Sequence, residues 1–271
     1  MERLQREQKC ILIFSLRRHN MRNFKPGLVS VSFRNLSPER ILELLKETDL
    51  KYIEWGSDVH AKPDDIDALK SIAKMQNDMG IECSSYGTYF RIGVNKPEEI
   101  YAYINAAKIL GTDTLRLWCS DKSASKFTEE EKSVFFKECR KLSAIAEKEN
   151  VILSMECHIN TFTDSIESSL ELMKEVSSPA FRMYYQPNQY KTEEENIYFA
   201  SKISEYTTNI HVFNWKEKEK YPLCEAKEIW TEYLKNFDGE RYLLLEFMPD
   251  GKEESLIKEA NTLREIIGGL V

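Results

Sequence analysis

The chain is predicted to fold as an α/β protein, a (β/α)₈ barrel with a parallel eight-stranded sheet. Three observations predict it. Eight short apolar or β-branched runs alternate with eight segments of helical spacing, and regular alternation implies a parallel sheet whose crossovers each carry a helix. No Pro-, Gly- or Ser-rich linker, low-complexity tract or repeat divides the alternation. Polar residues gather at the carboxyl ends of the runs, whereas the opposite ends carry turn residues such as Asn150, Ser177, Ser178, Pro179 and Asp238-Gly239. A barrel places its function at the carboxyl ends of its strands. The alternative, a doubly wound open sheet, lacks its signatures: no GxGxxG follows the first strand and no GxxxxGK occurs.

Taken in order, Pro26-Gly27 leads into strand one, 28–33, and Ser37-Pro38-Glu39 starts a helix with a capping Ser and Pro in the first turn. Strand two, 51–55, precedes a helix opened by Asp64-Asp65 and stopped by Gly80. Strand three, 81–86, precedes a helix from Lys96-Pro97-Glu98 to Gly111. Strand four is 114–118, and the spacing of Thr128 and Glu131 is a capping box before a helix to Asn150. Strand five, 151–155, is followed by helix 164–176; strand six, 181–185, by a helix from Thr192. Strand seven, 210–213, precedes helix 226–237, and strand eight, 242–245, precedes a closing helix, 253–267.

Composition narrows the function. The 271 residues are 42% hydrophobic, with a net charge of −7. The acidic balance argues against a nucleic-acid partner, which needs clustered Lys and Arg. No apolar run reaches the ~20 residues of a membrane span. The six cysteines are scattered with no CxxC pair, which suggests reduced thiols in a cytoplasmic protein. Near the N-terminus a short apolar run precedes Arg17-Arg18, the reverse of a secretory signal. Arg17-Arg18 read as purine-rich codons, a ribosome-binding site just ahead of Met21. Residues 1–20 are therefore expected to be upstream sequence, with Met21 the natural start; a genuine, loosely packed extension is the alternative. The expected organisation is an N-terminal extension over 1–26 and one barrel domain over 27–271.

The strand ends carry the candidate chemistry. Strand two gives Glu54, Trp55, Asp58 and His60; strand three, Tyr86, Tyr89 and Arg91; strand four, Arg116, Trp118 and Asp121. Strand five gives Glu156 and His158; strand six, Gln186, Asn188 and Gln189; strand seven, His211, Asn214 and Trp215; strand eight, Glu246 and Asp250. Glu156, Gln186, His211 and Glu246 form a candidate metal shell. Mostly hard donors favour Mn²⁺ or Mg²⁺, with Co²⁺ or Zn²⁺ as alternatives. Each alone reads as an ordinary polar residue, but Glu or His ending three apolar strands needs a partner, because burying them unpaired costs several kcal/mol. His60 and His158 read as substrate contacts rather than ligands or loop surface. Arg91 and Arg116 either bind a carboxylate or pair with Glu54 and Glu82. Some of Trp55, Tyr86, Tyr89, Phe90, Trp118 and Trp215 belong to the core, and others suit stacking walls for a sugar. The charged run from Lys216 to Lys220 reads as a solvated loop.

At these residues the chain resembles the xylose isomerase-like TIM barrels, which include sugar isomerases and epimerases, inosose-processing enzymes and endonuclease IV. The carriers are Glu54-Trp55-Gly56-Ser57-Asp58-Val59-His60, Ser85-Tyr86-Gly87-Thr88-Tyr89, the Glu156 strand, His211-Val212-Phe213-Asn214-Trp215 and the Glu246 strand. The resemblance implies a metal held by Glu156, His211 and Glu246. Gln186 stands where the epimerase branch has Asp, and Gln189 where it has a substrate-binding His. It also implies Glu156 and Glu246 as the catalytic pair that removes and returns a proton beside a carbonyl. The expected substrate contacts are Glu54, His60, Tyr86, Arg91, Trp118, His158, Gln189 and Trp215.

The leading expectation is thus a metal-dependent isomerase or epimerase of an unphosphorylated sugar, polyol or keto-compound, since no glycine-rich phosphate cradle follows strands seven or eight. The alternatives are an inosose-type dehydratase and a non-catalytic sugar-binding or regulatory barrel whose metal site has degenerated through Gln186 and Gln189. Endonuclease-like repair is rejected, because that chemistry needs many histidines and the chain has four. Oligomeric state, a homo-oligomer included, is left open.

Overall fold

A computed structural model describes residues 22–270. The expected start at Met21 and the segment 1–20 lie outside the described residues. Eight strands close a parallel barrel: β1 (Asn23–Val29), β2 (Tyr52–Gly56), β3 (Glu82–Ile92), β4 (Thr114–Cys119), β5 (Ile152–Glu156), β6 (Phe181–Tyr185), β7 (Thr207–Val212) and β8 (Glu240–Leu245). Each pairs with its neighbours in sequence, and β1 closes the ring on β8 through the register Asn23↔Glu240 to Leu28↔Leu245. The helices between them are α1 (Pro38–Glu47), α2 (Ile66–Asp78), α3 (Ile100–Leu110), α4 (Glu129–Glu149), α5 (Ile166–Val176), α6 (Glu193–Ile203), α7 (Lys227–Leu234) and α8 (Leu256–Gly268). The predicted fold class is therefore the observed one.

Local chemistry explains most boundaries. Ser37 accepts from the Arg40 amide at the start of α1. Thr128 and Thr192 each form a full capping box, with Glu131 and Glu195. Gly111 ends α3 and Asn150 ends α4, both in the left-handed conformation.

The first strand departs from expectation. It starts at Asn23, so the barrel begins before the expected boundary at 27, and Ser30–Phe33 is a 3₁₀ turn rather than strand. Pro26 is tolerated inside β1 because pairing to β2 begins only at Gly27. Gly27 is needed there: an added Cβ would lie 2.4 Å from the Tyr52 carbonyl oxygen. β3 also outruns its expected end, passing a register shift between Gly87 and Arg91 to reach Ile92. The charged run after β7 is exposed, as expected, but folds into a two-stranded ribbon, Trp215–Lys216 against Glu219–Lys220.

Two faces of the sheet hold two different interiors. Leu28, Ile53, Leu115, Leu117, Leu153, Met155, Met183, Ile210, Leu243 and Leu245 all join the large core that includes helix residues such as Leu69, Leu142 and Leu263. Their alternates point the other way, because successive strand side chains face opposite sides. Val29, Tyr184 and Leu244 accordingly form a separate small apolar cluster with Val31 inside the barrel. By the same alternation Glu54, Arg116, Glu156, Asn209 and His211 face inward.

Candidate functional site

The upper barrel interior is a buried charge cluster. Glu54 on β2 is fully buried. Its Oε2 accepts from Ser85 Oγ (2.9 Å) and Tyr184 OH (2.8 Å), and its Oε1 accepts from Arg116 Nε (3.1 Å). Asn209 Nδ2 donates to Tyr184 OH and Ser85 Oγ, fixing both hydroxyls. Arg116 on β4 also donates Nη1 to Glu156 Oε2. Gly87 makes room for this pair, since a Cβ there would lie 2.6 Å from Glu54 Oε1 and 2.9 Å from Arg116 Nη2. Burial opposes both charges, yet each outlasts it. His211 and Arg116 hold Glu54 down to about 2, and Glu156 and Glu54 hold Arg116 firmly protonated.

His211 on β7 links this cluster to the cavity above. Nε2 lies 3.5 Å from Glu54 Oε1. Nδ1 faces three oxygens: Gln186 Oε1 at 3.0 Å, Glu246 Oε2 at 3.5 Å and Glu156 Oε1 at 4.0 Å. A ring nitrogen carries at most one hydrogen, so it cannot satisfy three acceptors. Glu156 is divided accordingly: Trp118 Nε1 and Arg116 hold Oε2, leaving Oε1 toward His211. Among the described residues no three His, Cys, Asp or Glu side chains alone make a set able to hold an ion; the Gln186 amide oxygen stands nearest to His211 Nδ1.

Electrostatics point the same way. Glu54, Glu156 and Glu246 set three carboxylates around the Arg116 guanidinium and the His211 imidazole, a cluster rich in acidic groups. Burial disfavours charge on His211, but Glu246, Glu54 and Glu156 outweigh it and raise its pKa to about 9. Burial raises the Glu246 pKa, with His211 opposing and Glu156 adding to the rise. Burial also opposes Glu156, but Arg116 and then His211 bring it below the usual value. The oxygens of Glu156, Gln186 and Glu246 and the imidazole of His211 are donor types that divalent ions take, and Glu54 stands behind the imidazole.

Above this floor lies a cavity of about 190 Å³. Trp118, His158, Gln189 and Trp215 line it, together with Glu156, Gln186 and Glu246. Trp118 is held on both faces, by His158 stacked at 4.6 Å and by the Arg91 guanidinium 3.8 Å from the ring centre. His158 Nδ1 meets the Ile159 carbonyl at 2.8 Å, which places the hydrogen on Nδ1 and leaves Nε2 free. Trp215 stacks on Phe247, whose φ is +59°. A non-glycine residue in that conformation at a cavity wall is strain of the kind found at functional sites.

Four expected substrate contacts need correction. Glu54 is sealed behind His211 and Arg116, so it positions rather than contacts. Tyr86 is on the outward phase of β3, fully buried, and donates to the Ala61 carbonyl. His60 is buried against Trp55 with Nδ1 on Ser30 Oγ. Arg91 braces the back of Trp118 and is absent from the cavity wall. Arg116 proves to pair with Glu54 and Glu156; Glu82 is exposed at the start of β3. Tyr184, Ser85, Asn209 and Phe247 were not foreseen. Strand alternation marks the first three as inward, whereas nothing local marks Phe247.

Known proteins share this architecture. The model of the family described as xylose isomerase-like TIM barrel matches residues 42–262. A 3-dehydroshikimate dehydratase of Bacillus anthracis is 25% identical over 173 residues, covering 59% of this chain and 60% of the relative. The chain thus spans under two thirds of that relative's length. The crystal structure of the probable 3-DHS dehydratase AsbF of B. anthracis superposes with a TM-score of 0.74 at 19% identity, covering 89% of this chain and 98% of the other. The IOLI protein with a bound zinc atom gives 0.69 at 17% identity over 91% and 99%. A D-tagatose 3-epimerase-like protein gives 0.70 at 15% identity over 91% and 98%. Likeness at these identities establishes the shared fold.

Proposed function

The chain belongs to the xylose isomerase-like TIM barrel family, and from that premise we propose that it is a metal-dependent isomerase or epimerase of an unphosphorylated sugar, polyol or related keto-compound. One observation carries the reading: three oxygens from three strand ends converge on His211 Nδ1 at the floor of an aromatic-walled cavity. Glu156, Gln186, His211 and Glu246 would hold the ion, with Mn²⁺ or Mg²⁺ favoured by oxygen donors and Co²⁺ or Zn²⁺ admitted by the imidazole. When bound, such an ion polarises a carbonyl and stabilises the negative charge left by loss of the neighbouring proton.

The chain's own residues supply the rest. Glu246 and Glu156 reach the cavity from β8 and β5, strands three places apart in the ring, so they can address two sides of one carbon. Their environments push their proton affinities apart, burial raising Glu246 and Arg116 lowering Glu156, which is the condition for separate acid and base roles. In one direction Glu156, whose ionised form Arg116 favours, removes the proton and Glu246, whose protonated form burial favours, returns one; the reverse reaction exchanges the roles. Trp118, Trp215 and Phe247 give apolar faces for C–H groups, and Gln189, Asn188 and His158 give polar partners for hydroxyls. The cavity is small beside the ~300–1,000 Å³ of drug-sized pockets. Its lining cation, Arg116, is already paired with two carboxylates, which favours a substrate without phosphate.

A second reading, dehydration of a hydroxylated cyclic ketone, draws on the similarity to the 3-dehydroshikimate dehydratase. It shares proton removal beside a carbonyl; the departing hydroxyl then takes that proton back from the glutamate that removed it and leaves as water. Incubation with Mn²⁺ in D₂O separates the readings. Deuterium entering recovered fructose, tagatose or psicose, with interconversion, supports the isomerase. An aromatic product from 3-dehydroshikimate supports the dehydratase. Sugar binding without bound metal or exchange would identify a non-catalytic barrel and sink the proposal.

A further inference from the structure

The barrel mouth holds a second cavity, of about 300 Å³, beside the first. Pro187, Asn188, Gln189, Phe213 and Trp215 line both and form a shared partition. That partition is pinned in place. Asn196, buried on α6, accepts from the Asn188 amide at 2.8 Å and donates to the Asn188 carbonyl at 3.1 Å. The Glu217 amide donates to the Gln189 carbonyl at 3.1 Å, and the Tyr221 amide to the Asn214 carbonyl at 2.8 Å, tying the ribbon to the partition.

Beyond the partition Ile229 is the half-buried apolar wall, in front of Ala226, Trp230 and Tyr233, which are buried. The rim carries donors and acceptors of both signs, among them Lys191, Thr192, Lys216 and Glu225. An apolar wall under a mixed polar rim suits a neutral hydroxylated ring, because its C–H face packs on the wall while its hydroxyls exchange hydrogen bonds at the edge. The partition itself carries an unanswered donor. Trp215 Nε1 is buried with no hydrogen-bond partner among the described residues, and such a group costs about 1–3 kcal/mol until it is satisfied.

We infer that the second cavity is a substrate subsite, and that the substrate carries a second hydroxylated ring joined to its reacting unit, as in a glycosylated ketose. The reacting unit occupies the cavity above His211, the partner ring lies over Ile229, and the linkage passes Gln189 and the Trp215 ring that line both cavities. This rests on the proposed function insofar as the first cavity is the reacting site.

The test compares fructose with lactulose, a ketose bearing a second ring, by titration calorimetry in the presence of Mn²⁺. Lactulose is expected to bind about tenfold more tightly, equivalent to about 1.4 kcal/mol. Ile229→Trp, which fills only the second cavity, is expected to abolish the difference and leave fructose binding unchanged. Glu225→Trp blocks the same cavity from an exposed rim position and gives the same outcome should the first variant fold poorly. Equal binding of the two sugars, binding of neither, or a lactulose advantage that survives both substitutions overturns the subsite. A chain that exchanges deuterium into fructose but shows no lactulose advantage loses the subsite and keeps the proposed function. A chain with the advantage but no exchange does the reverse.

Discussion

Gln186 is the proposed ligand that departs from a carboxylate. It approaches His211 Nδ1 closer than either glutamate does, yet an amide oxygen brings no charge, so a carboxylate there would bind a cation more strongly. Gln186→Asp is expected to tighten Mn²⁺ binding by about tenfold or more, about 1.4 kcal/mol, read by calorimetric titration; unchanged affinity would show that position 186 is not a ligand. Glu156, His211, Glu246 and the departure at Gln186 were all legible in sequence as polar residues ending apolar strands. Glu54 and Tyr86 were assigned to the substrate because position along a strand was read without the phase. Trp55 and Tyr86 share the outward phase with the helix-facing core, while Glu54 faces inward but lies one layer below the cavity.

Among the elements, β1 and α8 carry separable tests. β1 approaches β2 so closely that Gly27→Ala must displace the Tyr52 backbone. A loss of about 2–3 kcal/mol is expected, measured as a lower urea midpoint. The sequence placed Pro26-Gly27 as a lead-in to the strand, since both residues usually interrupt strands. Only the pairing register reveals that β2 is absent opposite Pro26 and too near Gly27. In α8 the buried Glu259 accepts from the Leu223 amide, fastening the segment before α7. Burial raises its pKa above the ordinary 4.5. A raised folded pKa favours folding below the unfolded value and loses that contribution as pH rises through the folded one. Glu259→Gln keeps an acceptor without the charge. It is therefore expected to melt above the parent at pH 7, with the advantage gone below pH 4.5; calorimetry across that range checks it.

At the scale of the molecule, the proposed ligands lie on β5 and β7 and in the turns after β6 and β8, so an ion bound by them would stabilise the closed ring as a whole. At 100 times its Kd, Mn²⁺ is expected to add about 2.7 kcal/mol, roughly 5–10 °C in melting temperature for a domain of this size, reversed by EDTA. A melting curve indifferent to Mn²⁺ would argue against an ion shared by these elements. No helix among the described residues is long and apolar enough to cross a membrane.

The amino-acid sequence alone determined the eight-fold alternation, most caps and the end of the barrel where chemistry gathers, because caps, periodicity and strand termini are written in neighbouring residues. Only the tertiary structure decided that Arg116 bridges Glu54 and Glu156, that His211 stands between a buried carboxylate and three oxygens, and that Trp215 divides two cavities. Those relations join residues far apart in the chain. They arise when barrel closure turns alternate side chains into one enclosed, low-dielectric space, where each charge must find its partner.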